Sequence, residues 1–251
     1  MSGSSRSLSS SSSLALPSSA AASARRREAL RGLRDALPVL IGFIPFALVL
    51  GAQATQKGLS VLTVPLMTGL NFGGGSEFTA MSLWTNPPQV LLIVAMSFLV
   101  NSRHILMGGV LAAYLRRVSR RRALGLLFFM CDESWALSLA DARKRGVAHI
   151  SLPYYLGAAL GMYATWVSFT WLGAALGPVL GNLEDYGCDM AFAAVFLVLL
   201  KGMWPGLRAA RPWMVSLVVA ALVSRLVPGA WYVAAGAVSG LAAALVLGED
   251  A

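Results

Sequence analysis

Between Ala36 and Leu247 the chain is a succession of apolar runs divided by short arginine clusters and Pro/Gly turns. No feature restricts the fold more. Overall 57% of the 251 residues are hydrophobic, 12% are charged, and mean hydropathy is +0.69. Soluble domains of this length carry about twice that charged fraction. The apolar residues come in long runs rather than amphipathic stripes. That pattern predicts an all-α polytopic membrane protein with about six to eight hydrophobic segments. The net charge of +9 is gathered between the runs, where it fits the positive-inside rule and not a nucleic-acid stripe. Cys131 and Cys188 lie in or beside apolar runs and suggest neither a disulfide framework nor a metal cluster. No cofactor is expected.

Residues 1–28, rich in Ser, Ala and Arg, are expected to form a disordered tail, with a transit peptide as the minor alternative. Residues 29–251 form the integral membrane domain. Arg25, Arg26, Arg27, Arg31 and Arg34 precede the first run, Ala36 to about Ala54, and predict a cytoplasmic N-terminus. Pro38 can start that helix and Pro45 should kink it.

The second run, Val61 to Trp84, contains Asn71-Phe-Gly-Gly-Gly-Ser-Glu-Phe78. Each glycine costs a helix about 1 kcal/mol relative to Ala. A carboxylate at bilayer depth needs a partner. Broken backbone there survives only when buried in protein or lining a wet cavity, and transporters use such breaks as substrate sites. The plainer reading, close helix packing at Gly73, Gly74 and Gly75, leaves Glu77 unexplained. Unpaired amides around Ser76 to Phe78 would suit an amino-acid carboxylate, and a nearby acid its ammonium.

The third run, Gln89 to Tyr114, carries Asn101, Arg103 and His104, with Asn101, His104 and Gly108 on one helical face. Basic clusters at 25–34 and 116–122 imply an even number of crossings, although three apolar runs end between them. Making Val61–Trp84 a re-entrant hairpin resolves the parity. Ala123–Ala140 holds Cys131-Asp-Glu-Ser134 at its centre and basic residues at both ends, so it too need not cross. Arg103 is the natural partner for one of Glu77, Asp132 and Glu133, either as a permanent lock or as a binding group. His104 could relay protons or bond a backbone carbonyl.

Leu152 to about Leu180 reads as the clearest later span. Its opening, Leu152-Pro-x-x-x-Gly157, echoes Leu37-Pro-x-x-x-Gly42, and Tyr186-Gly187…Phe192 loosely echoes Phe72-Gly73…Phe78. The echoes suggest two repeats of roughly 100 residues. An acidic loop (Asn182–Asp189) and runs at Ala191–Met203, Trp213–Leu226 and Ala230–Leu247 complete the chain.

Asp35-Ala-Leu-Pro38, Gly73-Gly-Gly-Ser-Glu-Phe78, Asn101-Ser-Arg-His104 and Asp132-Glu-Ser134, in this order, closely resemble the AzlC family, the large subunit of branched-chain amino-acid exporters. The resemblance covers about Glu28 to Leu247. It implies secondary, proton-driven export of leucine, isoleucine, valine or analogues across the plasma (inner) membrane by a multi-pass permease. It also implies a small hydrophobic partner of the AzlD type. The family usually reads Ala-Gly-Ala-Ser-Gln-Phe at the break, so Glu77 replaces an amide here and becomes a candidate coupling site. Two other classes remain: an intramembrane serine hydrolase using Ser76 and His104, and a non-transporting scaffold.

Overall fold

The computed structural model describes residues 18–116, 118–147, 149–180, 206, 210–227 and 231–247. Among them the regular elements are all helices: α1 (Ser18–Gln56), α2 (Thr63–Asn71), α3 (Gly75–Ser82), α4 (Val90–Asn101), α5 (Arg103–Tyr114), α6 (Arg120–Phe128), α7 (Asp132–Lys144), α8 (Leu152–Leu180), α9 (Arg211–Leu226) and α10 (Trp231–Leu247). The acidic loop, the Ala191–Met203 run, Cys188 and the second echo lie outside the described residues.

The longest helices, α1 and α8, form the centre and run parallel. Ala29 meets Gly157 near their starts, Leu48 meets Gly173 further on, and Thr55 meets Gly177 near their ends. Gly32, Gly51, Gly157 and Gly173 each lie against backbone of the partner helix, where a side chain would collide. Small residues let two backbones approach this closely. Helix α1 starts at Ser18, so residues 18–28, expected to belong to an irregular tail, are helical. Their Ala, Arg and Glu content is strongly helix-forming, and Gly32 and Ala29 are pinned against α8. Pro38 and Pro45 both lie inside α1, each removing a hydrogen bond to the preceding turn.

Helix α8 hydrogen-bonds to the elements around it through its aromatic residues. Tyr154 donates to Asp35 of α1, Tyr155 to the Leu126 carbonyl of α6, Tyr163 to the Gly69 carbonyl of α2, and Trp166 to Glu77 of α3. Two apolar clusters form on either side. One gathers Leu50, Phe72, Phe78, Met81 and Met162; the other gathers Leu111, Leu126, Met130 and Tyr155. Helices α9 and α10 pack on each other where Gly236 and Gly240 meet Ser216.

Among the described residues, two helices are long and apolar enough to cross a membrane: Ala20–Gln56, and Val90–Tyr114, which joins α4 to α5. Only 6% of the most apolar window of Val90–Tyr114 is buried, so it is not the core helix of a soluble fold. Leu91, Phe98, Ile105 and Leu106 are all more than two-thirds exposed. The outward surface suits lipid. The run Ala123–Ala140, read from the sequence as one apolar segment, is instead two helices.

Candidate functional site

The chain breaks fully at two places. At the first, Phe72 ends α2 in the left-handed region (φ 44°), its N–H bonding the Thr68 carbonyl at 2.8 Å. Gly74 follows at φ 34°, a region that favours glycine. A Cβ on Gly73 would strike the Ser76 hydroxyl and approach the Asn71 and Asn101 amides at 2.8 and 3.2 Å. Only glycine fits there. At the second break, Phe129–Cys131, Cys131 is extended and its N–H donates to the Ser134 hydroxyl at 3.0 Å, capping α7. Between α4 and α5, by contrast, Ser102 keeps helical angles and merely tightens the rod.

Glu77 closes the first break. It is 1% exposed and accepts from the Thr68 hydroxyl (2.8 Å), the Trp166 indole (2.9 Å), the Gly73 amide (3.0 Å) and the Asn71 amide (3.4 Å). Four donors and no acceptor surround it, a shell built for a carboxylate. Ser76 is fully buried, accepting from Asn71 at 2.9 Å and donating to the Gly73 carbonyl at 3.3 Å. The amides of Ser76, Glu77 and Phe78, expected to be free for a ligand, donate to the carbonyls of Gly73 and Gly74 at 2.9–3.1 Å. The amides of Gly74 and Gly75 are the ones without an acceptor among the described residues. The free donors thus lie about two residues earlier than the sequence suggested, because the first amides of α3 bond the Gly73 and Gly74 carbonyls just before it.

A cavity of about 520 Å³ lies between the two breaks. Pro38 to Phe46 of α1, Phe78 and Trp166 make an apolar wall, and Gly73, Gly74 and Gly75 form one edge. Arg103, His104, Asp132 and Glu133 contribute its polar and charged lining. Arg103 Nη2 pairs with Asp132 Oδ2 at 3.0 Å, and the two side chains are 40% and 38% exposed. Arg103 Nε and Asn101 Oδ1 are buried without a partner. The His104 ring donates through Nδ1–H to the Asn101 carbonyl at 3.2 Å.

Seven of the ten sequence candidates therefore line one cavity. Glu77, Ser76 and Asn101 stand behind it and shape its edge. Ser76 and His104 are bonded to other groups, which argues against a nucleophile and base pair. The described residues contain no cluster able to hold a metal ion. Trp166, Thr68 and Asn71 were missed. A buried tryptophan inside an apolar run needs an acceptor for its N–H, and that was the available signal.

A second polar group ties the ends of α1, α7 and α8. Arg31 bonds Asp141 at 2.7 Å and Glu28 at 2.9 Å, and stacks 4.3 Å over the Tyr154 ring. Arg145 also reaches Asp141 at 2.7 Å, and Ser151 donates to Glu28 at 3.0 Å. Glu28 and Arg31 precede the apolar stretch of α1. The Arg31 hydrogen bond holds the Glu28 carboxyl below the ordinary glutamate value, and Glu28 and Asp141 raise that of Arg31.

Residues 38–180 match the family model described as AzlC protein. An uncharacterized membrane protein of Archaeoglobus fulgidus is 31% identical over 173 residues, 68% of this chain and 73% of that protein. The branched-chain amino acid transport protein AzlC of Bacillus subtilis is 25% identical over 172 residues, 67% of this chain and 65% of its own length. The inner membrane protein YgaZ of Escherichia coli is 30% identical over 165 residues, 62% and 63% of the two chains. No solved structure matches the chain. With more than half its length under the family model, and its cavity built inside that matched segment, the chain is a membrane protein of the AzlC family.

Proposed function

We propose that the protein is a secondary transporter subunit that exports branched-chain amino acids or close analogues across the plasma (inner) membrane. It works with a small hydrophobic AzlD-type subunit and draws on the proton gradient. One observation carries the reading: a half-open cavity whose lining includes both an opposite-charge pair and Phe, Pro and Trp, lying between two broken helices. A zwitterion with an apolar side chain matches both kinds of lining. The printed name of the Bacillus relative points to the same substrates. His104 and Glu133, which line the space, are the proton-carrying candidates; Glu77 lacks access to it.

A topology follows from the parallel packing of α1 and α8. The apolar stretch of α1 follows Arg25–Arg34 and α8 follows Arg143–Arg145, so in this reading both enter from the cytoplasm. Helices α4 and α5 cross back between them. The α2/α3 pair is then a re-entrant hairpin from outside, and α6/α7 one from the cytoplasm, their breaks meeting at the cavity.

Counterflow of labelled leucine and valine in liposomes, with and without the small subunit, tests the function. Exchange of both is expected, with glycine and glutamate excluded. No flux of any amino acid with the partner present would leave the scaffold reading.

A further inference from the structure

The ion pair between Arg103 and Asp132 is unlike the others in the molecule. Asp141, Arg31 and Arg145 join helix ends. Arg103 and Asp132 instead open α5 and α7 in mid-chain, and their exposed surface faces the cavity. The contact is a single N–H···O, so most guanidinium donors stay uncommitted, and Nε is buried with no partner at all. A pair evolved purely as a lock gains most from a bidentate fork sealed from solvent. This one is neither.

The neighbours extend the pattern. Arg103 Nη2 lies 3.7 Å from the position a Gly75 Cβ would take, beside the free amides of Gly74 and Gly75. Glu133 lines the cavity next to Asp132. Positive and negative groups thus stand side by side on the cavity lining.

Resting on the transport reading above, we infer that Arg103 and Asp132 are the receptor for the zwitterion, and that substrate binds by replacing their mutual contact. The carboxylate settles between the Arg103 guanidinium and the Gly74 and Gly75 amides. The ammonium takes Asp132, with Glu133 beside it. The aliphatic side chain projects toward Phe43, Phe78 and Trp166. Each charge exchanges one partner for another, so the empty site never leaves an unpaired charge in an apolar space. Discrimination then comes from the apolar wall.

The test measures binding to the purified full-length chain by thermal shift, using leucine, 4-methylpentanoate (no ammonium) and 3-methylbutylamine (no carboxylate). Wild type should prefer leucine over either half by tenfold or more. Asp132→Asn should weaken leucine at least tenfold yet tighten 4-methylpentanoate, because the guanidinium no longer answers to an acid. Arg103→Gln should do the mirror, favouring the amine. A structural lock would weaken all three ligands together, and that result overturns the assignment while leucine counterflow by wild type still stands. Unchanged leucine binding in both variants overturns it equally. Should a neutral variant fail to fold, the exchanged pair R103D/D132R retains the salt bridge. It should bind no leucine, since an acid beside the Gly74 and Gly75 amides repels the carboxylate; wild-type binding there sinks the inference. If wild type binds none of the three and carries no flux, the transport reading falls and the receptor falls with it.

Discussion

Glu77 shows how a buried charge can be architecture. Its four donors come from α2, the break and α8, so the carboxylate of α3 fastens α2 and α3 to the central helix. A glutamine offers one acceptor and one donor to the same shell. The Trp166 and Gly73 N–H groups cannot reverse, so one of them would face an amide N–H. Glu77→Gln should therefore cost about 1–3 kcal/mol, read as a lower melting temperature in detergent. The pH profile of transport should keep its shape, because Glu77 does not touch the cavity. A flattened profile in that variant would return Glu77 to the coupling mechanism. The carboxylate was legible in the sequence as an expensive group at depth. Its purpose was not, since Trp166 lies 89 residues away and only the folded chain brings it near.

At the scale of elements, the sequence disclosed the first break and not the second. Three glycines announce a broken helix through their propensity alone, and Gly73 and Gly74 are indeed required by contact and by φ. The break at Phe129–Cys131 has no glycine or proline. Its markers are two acids and a serine placed where a first helical turn wants them, and inside an apolar run these read equally well as a polar face. The α1/α8 pair was visible only as an echo of Pro and Gly spacing. Of the echoed glycines Gly157 presses on the α1 backbone while Gly42 has nothing within 4 Å; Gly173, outside the echo, makes a second close approach. Gly173→Leu should force the helices apart at Leu48 and cost more than about 3 kcal/mol. Gly109→Leu, with open space at its Cβ position, should change the melting temperature little. Equal losses in the two variants would mean that the close approach to Leu48 is not what makes Gly173 necessary.

On the scale of the whole molecule, the Arg31 cluster and the direction of the helices constrain one another. Asp141 is only 5% exposed at its side chain and answers two arginines, one from α1 and one from its own helix. Asp141→Asn should cost about 2–4 kcal/mol, mostly through the guanidinium left under-paired. Added salt should not mimic the loss, because the acid is shielded from solvent. The same cluster fixes the Glu28–Asp35 stretch of α1, the end of α7 and the start of α8 at one level. Since α1 and α8 run parallel from there, the segment between them must return to that level an odd number of crossings later. With one crossing supplied by α4–α5, an odd total is met if α2/α3 and α6/α7 both cross or if both come back to the side they left; the topology proposed above takes the second. Single cysteines, in a chain lacking Cys131 and Cys188, should make this visible with an impermeant maleimide. Positions 57 and 85, flanking α2/α3, should both label from outside; positions 121 and 145, flanking α6/α7, should both label only after the membrane is opened. Labelling of 57 and 85 from opposite faces would mean that α2/α3 crosses. The two breaks could then no longer approach the cavity from opposite sides, and alternating access would need a different moving part.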